Sequence, residues 1–346
     1  SVVGQIDFSL GDTLSLGIGG RFTTEDKEAV LGEVLSEFPR ESYCLVGMLG
    51  HDFIDGEREG SKGYPRFTSP SLRGESGYRD FLRRACESSL TNCQTSHFDL
   101  VMLHNPDEIG YTSEAVWKGM TALKEEGLSK RLGIAPGPAN GFTLDLLHVF
   151  ENFGEVIDWA MIILNPLEPW PGQHVLDSAV ANKVDILTRV VDYGGLFHGD
   201  MKPGHEFRPG DHRAYRPEGW VERGNDAMQP MREIAEKHGL SMIQFASLWN
   251  LSQTPVKCVV PTVIQEAGEN AIAIEDKIRD YAATPADFKL SPEEVEAIRK
   301  MGDNTGCMML KGASQRHDGP CERPDEWPMR EELLTLAGQY GLTSKW

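Results

Sequence analysis

The sequence predicts an α/β chain folded as a (β/α)8 barrel of the TIM type, and three observations carry that expectation. Short apolar runs alternate with segments of helical periodicity along nearly the whole chain. No glycine-rich dinucleotide fingerprint follows the first apolar run, which argues against an open doubly wound sheet. The 346 residues, 40% of them hydrophobic, show no composition break and can bury one large core. The expected organisation is a barrel over residues 1–301 and a carboxyl-terminal extension over 302–346 that packs on or over it.

The strands read, in order, as Leu14 to Ile18, Tyr43 to Val46, Leu100 to His104, Arg131 to Ile134, Trp159 to Leu164, Val184 to Val191 and Val256 to Pro261. Apolar strands without alternation are those of a parallel sheet covered on both faces. Helices are expected at Glu25 to Glu37, Tyr78 to Leu90, Ser113 to Glu126, Thr143 to Phe153, Val175 to Asn182, Met228 to His238 and Ser241 to Leu251. Two of them end in a glycine stop, at Gly127 and Gly239.

Composition narrows the partners. Lys and Arg number 34 against 53 Asp and Glu, a formal net charge of −19. That balance opposes phosphate backbones and anionic membranes, so neither a nucleic acid nor a membrane is expected as partner. The six cysteines (Cys44, Cys86, Cys93, Cys258, Cys307, Cys321) lack paired metal spacing. They read as reduced thiols in a cytoplasmic protein. No run approaches a membrane span, and the amino terminus has no basic region leading into an apolar one.

Chemistry is expected first at Phe98 to Asp107, an apolar strand that delivers His104, then Asn105, Pro106 and Asp107, to its carboxyl end. In a parallel barrel that end is where reactions occur, and imidazole there can serve as acid, base or oxyanion donor. Asp192 and Tyr193 place a carboxylate and a phenol directly after the Val184 to Val191 run, and His51, Asp52 and Asp55 follow an earlier strand in the same way. His198 to Arg213 is dense in metal-capable groups, yet Gly-Pro punctuation and the absence of helical His spacing make it a solvated lid with no metal site. Its Arg208 and Arg213, with Arg216, Tyr215 and Trp220 beyond, suit a polar or anionic small-molecule substrate.

The run ending in His104 resembles the fourth strand of the aldo-keto reductases, where the histidine lies over the substrate carbonyl. Phe8 to Gly20 looks like that family's amino-terminal hairpin, Val30 to Leu35 and Arg40 to Gly50 its second helix and third strand, and Leu240 to Pro261 its closing helix and strand. The resemblance implies an oxidoreductase using NAD(P)(H). It implies cofactor-binding positions at Arg189, Gly194, Gly195, Leu196, Pro261, Thr262, Gln265 and Asn270, with Glu275-Asp276 an alternative to Glu269-Asn270. It also makes the chain short by one βα unit, because Gly20 and Glu25 are too close to hold a helix and strand. Alternatively Val2 to Ser9 is the second strand and the first is absent, or a partner subunit or oligomer completes the barrel.

Several positions depart from the family. Met48 stands where a lysine tunes a tyrosine proton donor, Ala135-Pro136 where a Ser-Asn pair holds the carboxamide, and Met161 where a glutamine does. No Arg or Lys within Val263 to Asn270 grips a 2′-phosphate. Three classes therefore stay open: a nicotinamide-dependent oxidoreductase, a cofactor-independent lyase or isomerase using His104 with Asp192 or Tyr193, and a non-catalytic regulatory or assembly subunit.

Overall fold

The computed structural model describes residues 5–9, 15–19, 24–58, 63–137, 142–216, 218–305 and 331–342. In chain order the elements are β1 (Gln5–Ser9), β2 (Ser15–Gly19), α1 (Thr24–Leu35), β3 (Tyr43–Leu49), α2 (Tyr78–Asn92), β4 (Leu100–His104), α3 (Glu108–Thr112), α4 (Glu114–Glu125), β5 (Leu132–Ala135), α5 (Thr143–Phe153), β6 (Trp159–Ile163), α6 (Val175–Asn182) and β7 (Asp185–Arg189). There follow α7 (Trp220–Ala227), α8 (Gln229–Lys237), α9 (Met242–Leu251), β8 (Val256–Val260), α10 (Ile274–Ala282), α11 (Pro292–Met301) and α12 (Glu331–Gln339). The chain divides into two compact units. Unit one comprises Ser1–Pro138, His148–Met161 and Asn182–Asp185, and unit two Ala139–Leu147, Ile162–Ala181 and Ile186–Trp346.

In unit one, β1 and β2 form an antiparallel hairpin, with Gln5 opposite Gly19. β1 also runs antiparallel to β3, Asp7 opposite Cys44. This is the hairpin expected over Phe8 to Gly20, and the alternative of a parallel strand over Val2 to Ser9 does not hold. β3, β4, β5 and β6 are parallel, with Val46 opposite Leu100, Val101 opposite Leu132 and Gly133 opposite Trp159. Four consecutive residues of β4, Leu100 to Leu103, are at most 5% exposed. That uninterrupted burial is why the strand reads as one apolar run and puts its first half-buried side chain, His104, at the carboxyl end.

The amino ends of the parallel strands repeat one device. Asp99, just before β4, accepts a hydrogen bond from the Leu45 amide at 2.8 Å and pairs with Arg40 at 2.8 Å. Asp158, just before β6, accepts from the Leu132 amide at 2.8 Å and pairs with Lys124 at 2.9 Å. Each carboxylate thus ties a strand's start to an amide of its neighbour and helps to fix their register.

In unit two, β7 and β8 are parallel, with Thr188 opposite Val259. β7 ends at Arg189, short of the expected Val191, because Val190 and Tyr193 take left-handed φ of 58° and 50° that no strand tolerates. α9 is buried from Ile243 to Asn250. Trp249 donates its indole N–H to the Val295 carbonyl at 3.0 Å, and Tyr281 its hydroxyl to that of Val259 at 2.8 Å. α12 packs Leu333, Leu336 and Ala337 against Leu144, Leu147 and Trp170. The rest of the extension, with Cys307, Cys321, Arg323 and Trp327, lies outside the described residues, as does Asp12 of the amino-terminal segment.

Among the described residues no helix is long and apolar enough to cross a membrane. Cys44, Cys86, Cys93 and Cys258 form no disulfide, and burial pushes Cys86 and Cys93 up to about 12, far from reactive thiolates.

Replacing Asp99 by Ala removes one bond to a backbone amide and two ion pairs, with Arg40 and with Lys130. We expect unfolding free energy from denaturant melts to fall by about 1–3 kcal/mol; an unchanged midpoint would deny the strand-start anchor its role.

Candidate functional site

Unit one assembles its polar residues at the carboxyl ends of β3 and β4. Gly50 follows β3, and a Cβ there would overlap the carbonyl oxygen of His104. Only glycine lets the two strand ends approach so closely. Beyond Gly50 the chain makes a long excursion and returns, with the Phe67 amide bonded to the Gly50 carbonyl at 3.0 Å and the Asp52 amide to that of Pro65 at 2.8 Å. This return bridges Arg66 to His51 in antiparallel sense.

His51, Arg66 and His104 come together as a result. The His51 and His104 rings lie 6.0 Å apart, centroid to centroid. His51 Nδ1 lies 2.8 Å from the Tyr64 carbonyl, to which it donates, and Arg66 Nη1 lies 2.9 Å from both ring nitrogens, of which only Nε2 is then free to accept. Burial, with a smaller push from the Arg66 charge, lowers the His51 pKa to about 4 despite that carbonyl. His51 is a neutral imidazole at physiological pH. Arg66 also donates from Nε to the carbonyl of Asn105, the residue directly after His104.

Asn105 holds a left-handed φ of 46° while its amide donates to the Ala135 carbonyl at 2.8 Å. Asparagine is among the few residues that tolerate this conformation, and such strain concentrates at functional sites. Asp107 caps α3 through the Gly110 amide at 2.9 Å and accepts from the Thr68 hydroxyl at 2.6 Å. The other expected residues after β3 are structural: Asp52, fully buried, accepts from Arg73 and from the Ile54 and Asp55 amides, and Asp55 pairs with Arg73 and Arg84. Met48, Ala135 and Met161 are buried apolar residues at 3%, 1% and 5% exposure.

Unit two gathers the residues after β7 and β8. Asp192 is fully buried, and its Oδ1 accepts from the Thr262 amide at 2.9 Å, joining the two strand ends. Tyr193 is packed edge-on against Trp220, 5.8 Å between centroids. Gly194 and Gly195 turn with φ of 71° and 103° into the buried Leu196. Arg189, the last residue of β7, lies opposite Val260, next to buried Pro261. Gln265 and Asn270 are exposed, and Gln265 braces its own loop by accepting from the Ile274 amide at 3.0 Å.

The lid arginines do not face solvent as expected. Arg213, 2% exposed, pairs with Glu266 at 2.6 Å and Asp211 at 2.7 Å. Burial opposes its charge, but those carboxylates outweigh burial and raise its pKa. Arg216 is buried over the Trp220 ring at 4.4 Å and next to Gly194, and burial lowers its pKa. The loop is pinned at its start as well: Asp200 forms a fully buried ion pair with Lys277 at 2.7 Å, and His198 Nε2 bonds the Thr262 carbonyl at 2.9 Å. The Tyr215 side chain lies outside the described residues. Residues 202–210 remain at the surface, and 202–208 with Asp200 and 267–270 line a cavity of about 420 Å³ whose charged residues are Lys202 and Arg208 beside Asp200, Glu206 and Glu269. Among the described residues no group of three His, Cys, Asp or Glu is arranged to hold a metal ion.

The comparisons place this chain among known proteins. Residues 22–302 match the profile described as the aldo/keto reductase family. An aldo-keto reductase of Strobilurus tenacellus is 26% identical over 237 residues, 67% of this chain and 66% of the relative, so the match spans just under two thirds of that relative. A glycerol dehydrogenase of Gluconobacter oxydans superposes with a TM-score of 0.60 at 22% identity, covering 80% of this chain and 77% of its own. An aldo-keto reductase of Bacillus halodurans in its holo form gives 0.56 at 20% identity, covering 81% and 79%. One from Klebsiella pneumoniae, in complex with NADP and acetate, gives 0.53 at 17%, covering 81% and 77%. At these identities the solved structures share the fold.

Two tests follow from the geometry of unit one. Gly50→Ala must displace the His104 carbonyl, and we expect about 1–3 kcal/mol of lost stability, the usual cost of overpacking; full stability would deny the close approach. The His51 pKa is lower folded than unfolded, so its contribution is fully present above about pH 6.5 and is lost as the pH falls through about 4. Acid melts of His51→Gln should therefore decline less across that window than those of the parent chain.

Proposed function

Because the chain belongs to the aldo/keto reductase family, we propose that it is an NAD(P)(H)-dependent oxidoreductase acting on a small polar carbonyl or alcohol, with His104 at the reacting oxygen. The observation that carries this reading is the placement of His104: half-buried, at the carboxyl end of a buried parallel strand, beside a neutral His51 and the cation Arg66. His104 donates a hydrogen bond to the oxygen on which negative charge develops and holds the proton that oxygen takes up. Arg66 sets a positive field beside it and, by bonding the Asn105 carbonyl, fixes the backbone that aims the imidazole. The family's Asp, Tyr and Lys have no counterpart in this reading, and the proton role rests on His104 instead.

The residues of unit two fit the nucleotide end of the cofactor. Gly194 and Gly195 have left-handed backbone that permits close approach of a phosphate, and the buried Arg216 guanidinium lies behind Gly194. The cavity of about 420 Å³ with Lys202, Arg208 and Asn270 on its wall is of the size that small-ligand sites have. When bound, the nicotinamide supplies the hydride. Arg189, Leu196, Pro261, Thr262 and Gln265 shape the strand ends and loops that would enclose it. We read the fold as a (β/α)8 barrel one βα unit short, supported by β1 lying antiparallel to β3 where a parallel strand would precede it. The carboxyl-terminal extension, soluble cytoplasmic location and any partner subunit belong to the same reading.

One observation favours the cofactor-independent lyase or isomerase: the buried, apolar Ala135 and Met161 offer no amide to a nicotinamide. In that case His104 is the proton carrier, with Asp192 or Tyr193 as its acid–base counterpart; Asp192 bonds the Thr262 amide through Oδ1 alone.

Titrating the full chain with NADPH and NADH, followed by quenching of its seven tryptophans, decides between them. Micromolar binding is expected, and no binding at millimolar concentration would defeat the oxidoreductase reading. His104→Ala should stay folded and lose about 10²–10⁴-fold in turnover, the range typical of a positioned proton donor.

A further inference from the structure

We propose that Arg66 binds the carboxylate of the substrate, so that the carbonyl compound accepted beside His104 is a short-chain oxo acid. The inference deepens the preceding reading and rests on its placement of the reacting oxygen at His104.

Arg66 is a half-buried cation that makes no salt bridge among the described residues. Among the described residues no carboxylate lies within ion-pair distance of it, whereas Arg40, Arg73, Arg84 and Arg213 all have one. Asp107 acts on it electrostatically from beyond ion-pair distance, its oxygens accepting from the Gly110 amide and the Thr68 hydroxyl and none of them bonding the guanidinium. His51, its closest side-chain partner, is neutral and adds no negative charge. Leaving a cation partly desolvated and unpaired is unfavourable, and an anion that docks on it removes that cost.

The guanidinium is also held in one orientation. Nε is fixed by the Asn105 carbonyl and one hydrogen of Nη1 by His51 Nε2. Nη2 has no partner among the described residues, and Nη1 contacts the His51 ring, 2.9 Å from each of its nitrogens. Nη1 and Nη2 form the edge that meets a carboxylate through two parallel hydrogen bonds. Because the Nε contact is to the residue following His104, that edge sits at the same strand end as the imidazole. A molecule with a carbonyl next to a carboxylate spans such a pair of groups.

The overall charge sharpens the case. A chain of net charge −19 repels small anions unless a local cation offsets that field. Arg213 and Arg216, which the sequence offers for this purpose, are enclosed within unit two. Arg66 is the cation beside His104 that remains available.

The test compares pyruvate with acetone, which differ in the carboxylate, by saturation-transfer NMR on the full chain without cofactor. Pyruvate should bind about tenfold or more tightly than acetone, as expected for a charge-assisted paired contact. Arg66→Gln should abolish that preference and Arg66→Lys should retain part of it, with circular dichroism confirming that each variant is folded. Added salt should weaken pyruvate and spare acetone in the parent chain, a readout that needs no variant to fold. Equal binding of the two ketones, no binding of either, or full pyruvate affinity in Arg66→Gln would overturn the proposal. Since no cofactor is present, loss of nicotinamide binding would defeat the oxidoreductase reading and leave this result standing.

Discussion

The carboxyl ends of β3 and β4 are joined by a close backbone approach and a single cation. Gly50 admits the His104 carbonyl at a distance no side chain allows. Arg66, carried back along the end of β3 by the return of residues 63–67, grips His51 with one nitrogen and the Asn105 carbonyl with another. Everything distinctive about unit one follows from that clasp. It adds to the burial that keeps His51 neutral and bonds the carbonyl of Asn105 in its left-handed turn, directly after His104. The energetic logic is that of a preorganised site: hydrogen bonds already made in the protein fix the polar groups before any substrate arrives.

Unit two solves a similar problem with the opposite outcome. Its arginines are numerous near the strand ends, but carboxylates and aromatic rings of the same unit occupy them, Glu266 and Asp211 on Arg213, Trp220 on Arg216. The fully buried Asp200–Lys277 pair and the Asp192 link to the Thr262 amide hold the loops after β7 and β8 as one piece. The buried arginines of unit two are therefore internal structure, while Lys202 and Arg208 line the cavity with Asp200, Glu206 and Glu269. In unit one, Arg66 makes no salt bridge among the described residues.

Much of the fold was legible in the sequence because burial leaves a strong signature. β4 was read to the residue from its apolar run, and α5 and α6 match their expected bounds. The end of β7 was overread, since Val190 and Val191 look like strand while a left-handed φ stops it. α7 was missed because its start depends on Gly219 in a left-handed cap, which a glycine in a polar loop does not announce. His104 was legible as a strand-end histidine. Arg66 was not, because it stands in a polar stretch of ordinary composition and becomes significant only when the chain doubles back onto β3. The lid arginines were read in the reverse sense for a related reason: pairing between Arg213 and Glu266, 53 residues apart, leaves no local pattern.

The central claim is that Arg66 clasps a neutral His51 beside His104, and long-range proton–nitrogen NMR of the imidazole rings tests it most directly. Across an acid titration, His51 should keep its proton on Nδ1 and remain neutral down to about pH 4, and Arg66→Gln should move its titration to higher pH. A His51 that titrates near 6.5, or whose titration is indifferent to the loss of Arg66, would contradict it.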